Sequence, residues 1–138
     1  MSTPRGTVSI ELARQLAAAG LEWSPQPGDW FVVDQPEMLE QAFVVSEMTV
    51  DVHDFPAGPV IGFNGTVEWA LDSVEKSDTV WLPLEHQLRE RLGASLLSLQ
   101  RGSQTFRVLT DDGSFEHARA AEAYGLALLH RLKFTFHR

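Results

Sequence analysis

Apolar residues recur at helical spacing in four segments of the chain, two of them before residue 75. The first helix is predicted over residues 10–19, where Ser9 caps its start and Gly20 ends it in a left-handed conformation. A second helix is predicted after Thr66, because four apolar residues there keep an i, i+3, i+4, i+7 spacing. These residues are Val67, Ala70, Leu71 and Val74.

Two further helices are predicted in the C-terminal half. Residues 83–93 carry leucines at four-residue spacing, with a proline suited to the first helical position and a glycine at the end. The last helix is predicted over residues 119–132, and Gly125 inside it costs about 1 kcal/mol relative to alanine, which indicates close packing. Beyond it, Phe134 and Phe136 alternate with polar residues and predict an edge strand or a cover over an apolar surface.

Short apolar runs and alternating segments predict strands between these helices. Residues 30–33 form one apolar run, whereas residues 43–55 begin apolar and then alternate as in a half-buried strand. A turn rich in proline and glycine at residues 56–59 leads to a returning strand over residues 60–63. The segment therefore predicts a hairpin or a meander.

A second hairpin is predicted around Gly102 and Ser103, because a two-residue loop that begins with glycine suits a type II′ turn. The flanking positions alternate in polarity, and their apolar members are Leu97, Leu99, Phe106 and Val108. A further turn at residues 111–113 predicts a third strand over residues 114–117.

These elements together predict an α+β fold, a mainly antiparallel sheet of short strands and hairpins packed against about four helices. A single domain over residues 1–138 is expected, since the length is close to the commonest domain size. The regular strand–helix alternation of a dinucleotide-binding fold is missing from the sequence.

The charge balance narrows the expected partners. The chain has 11 basic and 19 acidic residues and a net charge of −8, which disfavours nonspecific binding to nucleic acid or to anionic lipid. It contains no cysteine, so disulfides, thiolate catalysis and cysteine zinc sites are excluded. No stretch has the length and polarity of a signal peptide or a membrane span, and we expect a cytoplasmic protein.

The densest polar group in the sequence includes Asp51, His53 and Asp54. Two carboxylates and an imidazole can bind a divalent metal or act as an acid–base pair, so these residues are a candidate metal site of a small hydrolase. The alternative is a solvated strand face beside a turn, which the alternation favours. No HExxH or HxH motif supports the metal site.

A second candidate site lies where the strand over residues 60–63 leads into the predicted helix. Asn64, Thr66 and Glu68, with the first amides of that helix, can surround a small anionic ligand. The alternative is that this turn only caps the helix.

The sequence contains none of the motifs that would identify an enzyme. It lacks both a GxxxxGK[ST] phosphate loop and a GxSxG nucleophile elbow. The tryptophans suggest either an interface or ordinary core packing, and they are Trp23, Trp30, Trp69 and Trp81. We therefore expect no cofactor, and a non-enzymatic interaction or accessory domain that forms a homodimer or binds a protein partner.

Two stretches, residues 43–72 and residues 81–90, and the segment over residues 121–129 resemble a family of small bacterial proteins with phage-type relatives. Members of that family often carry the automatic label "pilus assembly protein". The resemblance covers most of the chain after Gly20 and implies no established activity, cofactor or catalytic residue.

Overall fold

A computed structural model describes residues 4, 6–36, 39, 41–45, 52–55, 58–62, 73–75 and 78–136. Its helices are α1 (Ile10–Ala18), α2 (Glu85–Leu92) and α3 (Ala120–Phe136). Its strands are β1 (Trp30–Val33), β2 (Ala42–Val44), β3 (Val52–Phe55), β4 (Gly58–Gly62), β5 (Ser73–Glu75), β6 (Thr79–Leu82), β7 (Leu96–Arg101), β8 (Phe106–Thr110) and β9 (Gly113–His117).

The α+β class is confirmed, although the described residues contain three α-helices instead of about four. The strands form three three-stranded sheets, in the orders β2-β1-β6, β3-β4-β5 and β7-β8-β9. The chain divides into two compact units. The first contains Trp23–Trp81, and the second combines Thr3–Glu22 with Leu82–Arg138.

The first unit contains an aromatic cluster on the β2-β1-β6 sheet. Phe31 of β1 stacks on Phe43 of β2 with ring centroids 5.7 Å apart. Trp23 lies 5.5 Å from Phe31 and stacks on Trp81 at 6.3 Å. All four side chains are buried, so core packing is confirmed for two of the tryptophans. Trp30 is half-buried and Trp69 lies outside the described residues.

A buried carboxylate fixes the turn that precedes β1. Asp29 accepts hydrogen bonds from the Trp23 indole at 2.8 Å and from the Gln26 amide at 3.0 Å. Its backbone carbonyl accepts the Val45 amide, and Val45 in turn accepts the amide of Gly28. Gly28 has a φ of 91°, a conformation that side chains disfavour. The turn is thereby tied to the end of β2.

The predicted hairpin is confirmed, because β3 and β4 pair antiparallel with Phe55 opposite Gly58. Its turn is shorter than predicted, since β4 begins at Gly58. The prediction of a helix after Thr66 is wrong at the C-terminal end of that helix. Val74 lies in β5 and pairs with Ile61 of β4, so backbone pairing overrides the helical spacing there. The rest of that predicted helix lies outside the described residues.

In the second unit, both ends of α1 follow the sequence prediction. The Ser9 hydroxyl accepts the Leu12 amide, as an N-cap does. Gly20 adopts a φ of 109°, and the amides of Gly20 and Leu21 donate to Ala17 and Leu16. These two bonds form a Schellman ending, which satisfies carbonyls that the helix itself leaves free.

Helix α2 begins later than predicted. Its N-cap is Leu84, so the proline at position 83 precedes the cap and does not occupy the first helical turn. The Gln87 side chain accepts the Leu84 amide at 2.8 Å and satisfies one of the free donors at this end. Gly93 ends the helix with a φ of 56°, as predicted.

The β7–β8 hairpin is confirmed, but its loop is longer than predicted. Arg101 pairs with Phe106, which leaves residues 102–105 in the loop, and the Gly102 amide donates to the Thr105 carbonyl. A type II′ turn needs a positive φ at its first loop residue, and Gly102 is not among the described glycines with positive φ. The prediction of a type II′ turn is therefore wrong. The third strand is confirmed as β9, which pairs with β8.

Helix α3 packs on β8, β9, α1 and α2. It continues to Phe136, so the predicted edge strand around Phe134 is wrong, and the Phe134 side chain is 61% exposed. The close packing predicted at Gly125 is confirmed. A Cβ at Gly125 would lie 2.6 Å from Leu12 Cδ2 and 3.0 Å from Val8 Cγ1.

Two side chains near the start of α3 bind the segment before α1. The buried Glu122 carboxylate accepts hydrogen bonds from the Ser9 amide and the Ser9 hydroxyl. The Arg119 guanidinium donates to the backbone carbonyl of Thr7. Since Ser9 also caps α1, one carboxylate on α3 positions the first turn of another helix.

Among the described residues, no helix combines the length and the apolar character that crossing a bilayer requires.

Candidate functional site

The structure locates only part of the site predicted from sequence. Asp51, Asn64, Thr66 and Glu68 lie outside the described residues. The backbone positions 53 and 54 lie in β3, opposite Val60 and Pro59 of β4. The metal and ligand sites therefore stay predictions.

Elsewhere, histidines and carboxylates are dispersed. Within the part of the chain that the structure describes, no group of three or more could hold a metal ion. His86 and Glu90 on α2 are both exposed, as expected for a solvated helix face. His130 lies between two aromatic rings, with centroids 5.3 Å from Phe115 and 4.4 Å from Phe134.

A groove of about 400 Å³ lies beside the C-terminal end of α1. Leu21, Leu128 and Leu132 form its apolar wall, and Arg91 supplies a cation. The Arg91 guanidinium donates to the Glu22 carbonyl at 3.2 Å, so it fastens the segment after α1 to α2. The volume is within the range of ligand pockets, but the charged group already serves the chain's own structure.

An apolar row that crosses the β7-β8-β9 sheet is the feature most suggestive of function. Val108 of β8 pairs with Leu99 of β7 and with Phe115 of β9, so the three side chains share one face of the sheet. Val108 is fully buried and Phe115 is half-buried, whereas Leu99 is 39% exposed. The row thus becomes more exposed towards β7, because α3 covers β8 and β9.

Strand β7 forms one edge of this sheet, and among the described strands it pairs with β8 alone. A bulge between Leu96 and Ser98 interrupts the pairing, and Leu97 within it is 65% exposed. The sequence predicted Leu97 and Leu99 in regular alternation along one strand of a hairpin. Leu99 keeps that register opposite Val108, whereas the bulge removes Leu97 from it. Alternation alone could not reveal the bulge. No signal in the sequence shows that α3 covers β8 and β9 but leaves β7 exposed.

A buried phenol joins α3 to α2. Tyr124 is 2% exposed, and burial raises the pKa of its hydroxyl above the usual 10.0. The Glu85 carboxylate adds to this rise in pKa, whereas the charge and hydrogen bond of Arg89 oppose it. The phenol is a neutral contact between two helices at neutral pH.

This phenol gives a direct test of the packing, because Tyr124 is the only tyrosine in the sequence. Near-ultraviolet absorbance of tyrosinate should titrate with a midpoint above 10.0 in the folded protein. Because the native state keeps its proton longer, the free energy of unfolding falls as the pH rises from about 10 through the folded pKa.

The same titration in denaturant serves as the reference and should return the midpoint to the ordinary value. Tyr124→Phe should remove both the signal and this part of the alkaline destabilisation. A folded-state midpoint at or below the denatured one, while circular dichroism still shows the native fold, contradicts the buried placement.

Comparison of the chain with protein-family models, with curated proteins and with solved structures found no match. The resemblance to small bacterial proteins therefore stays a prediction.

Proposed function

We propose that this chain is a non-enzymatic interaction domain that associates with itself. The observation that carries the proposal is the exposure of Leu97 and Leu99 on an edge strand. Single exposed apolar residues are ordinary, but proteins usually protect an edge strand with proline, lysine, inward charges or a bulge. The bulge in β7 lies at its start and leaves residues 98–101 in regular register. Strand β7 has neither proline nor lysine, and its one charge is Arg101 at the end.

The charge distribution also supports association at this edge. A net charge of −8 makes two copies repel each other over most of their surfaces. Residues 91–110 contain three arginines and no carboxylate, and they include all of β7 and β8. Two copies can therefore meet along β7 without bringing their acidic residues together.

Light scattering and sedimentation velocity over a wide concentration range test the proposal. We expect a species heavier than the 15.4 kDa monomer whose share grows with concentration. Gln104→Glu, in the exposed hairpin loop, should leave this behaviour unchanged, whereas Leu97→Glu should shift it towards monomer. A strictly monomeric protein at every concentration overturns self-association.

The alternatives from the sequence stay separate predictions. A metal-dependent hydrolase would use Asp51, His53 and Asp54, and a small-ligand binder would use the Asn64–Glu68 turn. Protein purified without chelators should then contain stoichiometric divalent metal, or show a thermal shift on adding metal or small anions. The cysteine-free composition supports the further proposal of a cytoplasmic location.

A further inference from the structure

The register of the β7–β8 hairpin shows which backbone groups of β7 are available to a partner. Pairs in an antiparallel ladder alternate between those that exchange hydrogen bonds and those that do not. Gly102 donates to Thr105, so counting back along the register makes Arg101–Phe106 and Leu99–Val108 non-bonded pairs. Leu99 and Arg101 therefore direct their amides and carbonyls away from β8.

The bulge limits where a new strand can pair. It lies at Leu97, so the regular alternation of outward groups holds from Ser98 to Arg101. Leu99 is the apolar residue within this regular part, and it is also the exposed end of the row that runs through Val108. Outward-directed backbone hydrogen-bonding groups and a partly exposed apolar side chain thus occur together at Leu99.

We propose that a second copy of this chain adds its own β7 antiparallel to this edge, about a two-fold axis at Leu99. Leu99 then lies opposite the same residue of the second copy, and the two three-stranded sheets join into a continuous sheet of six strands. The apolar row of one copy then continues across the two-fold axis into the same row of the second copy. The inference rests on the proposed self-association and specifies its geometry.

Charge favours this edge over the opposite edge of the same sheet. Strand β9 has the exposed Glu116 and follows Asp111 and Asp112. Arg107 and Arg131 of the same copy pair with these carboxylates, but two β9 edges would still bring the three of each copy together. In a pairing about Leu99, the regular ladder covers residues 98–100 of both copies. Arg101 then lies beside the bulge at Leu97 of the second copy, where its aliphatic stem can cover the leucine. The two guanidinium groups lie at opposite ends of the paired strands.

Cysteine crosslinking tests the axis, because the native chain has no cysteine to compete. Directly opposed residues of a hydrogen-bonded antiparallel pair have Cα atoms about 5.5 Å apart, which suits a disulfide. Under mild oxidation at micromolar concentration, Leu99→Cys should form linked dimers at least about tenfold faster than exposed controls, since pairing raises the effective concentration of the thiol. Suitable controls are Ser103→Cys in the hairpin loop and Ser114→Cys on β9, both exposed.

The second measurement introduces two like charges at the proposed axis. Leu99→Lys places two ammonium groups opposite each other and should convert the oligomer to monomer, whereas Gln104→Lys should not. If the protein associates but Leu99→Cys links no faster than the controls and Leu99→Lys keeps the native mass, the axis at Leu99 is wrong and self-association stands. If the unmodified protein is monomeric, both proposals fall.

Discussion

Gly125→Leu is expected to lower the free energy of unfolding by about 3 kcal/mol or more, since overfilling a packed core costs about 1–3 kcal/mol and occasionally more. A Cβ alone at this position would lie 2.6 Å from Leu12 Cδ2 and 3.0 Å from Val8 Cγ1. Leucine is a good helix former, so its intrinsic preference opposes the loss and cannot cause it. Urea unfolding followed by circular dichroism measures the change.

A double-mutant cycle assigns this loss to the contact between α3 and α1. Gly125→Ala removes the helical cost of glycine, worth about 1 kcal/mol on a free helix face, yet here we expect no gain or a net loss. Leu12→Ala removes the Cδ2 atom that blocks the new methyl group, so Gly125→Ala should be better tolerated in that background. If Gly125→Ala stabilises both backgrounds equally, the close approach is refuted.

Glu122→Ala is expected to lower the free energy of unfolding by about 2–3 kcal/mol, since hydrogen bonds to charged groups contribute about 1.5–3 kcal/mol. The carboxylate accepts both the amide and the hydroxyl of Ser9. Loss of the carboxylate leaves the part-buried Ser9 amide, near the start of α1, without its hydrogen-bond acceptor. Thermal and urea unfolding of the variant measure the effect.

Two further variants separate this network from a general charge effect. Glu90→Ala removes an exposed carboxylate of α2 and should change stability by less than about 0.5 kcal/mol. Ser9→Ala should be strongly non-additive with Glu122→Ala, because each removes part of the same set of bonds. Additive losses would show that the two side chains act independently.

The elements that the sequence predicted correctly are those specified by local chemistry. Ser9 and Gly20 bracket α1 because a hydroxyl and a left-handed glycine satisfy free groups at helix ends wherever the helix lies. Gly93 ends α2 with a φ of 56°, which glycine adopts at little steric cost. The cost of a glycine inside α3 correctly indicated a close contact at Gly125.

The errors arose where distant parts of the chain, or contacts along one helix, decide the outcome. Val74 continues a helical stripe in the sequence, but it pairs with Ile61 in a sheet, and periodicity carries no information about such partners. Phe134 alternates with polar neighbours as in a strand, yet α3 runs through it. Pairing in a sheet overrode the local pattern at Val74. At Phe134 the ring contact is with His130, one helical turn earlier in α3, and such a pair favours the helix.

The candidate site was predicted less well than the fold. The sequence indicated self-association from its aromatics and C-terminal phenylalanines, but Trp23 and Trp81 lie in the core. The surface that supports association is β7, whose leucines are spaced like core residues. Their exposure depends on a bulge and on the limited reach of α3, and both are properties of the assembled sheet.

The discontinuous make-up of the second unit has a consequence for synthesis in the cell. Helix α1 has nine residues, too few to persist alone in water, and its N-cap is held by a residue 113 positions later in the chain. During translation the first unit emerges complete while α1 still lacks α3. The nascent second unit therefore closes only once α3 has emerged from the ribosome, and until then its apolar face is open to chaperones.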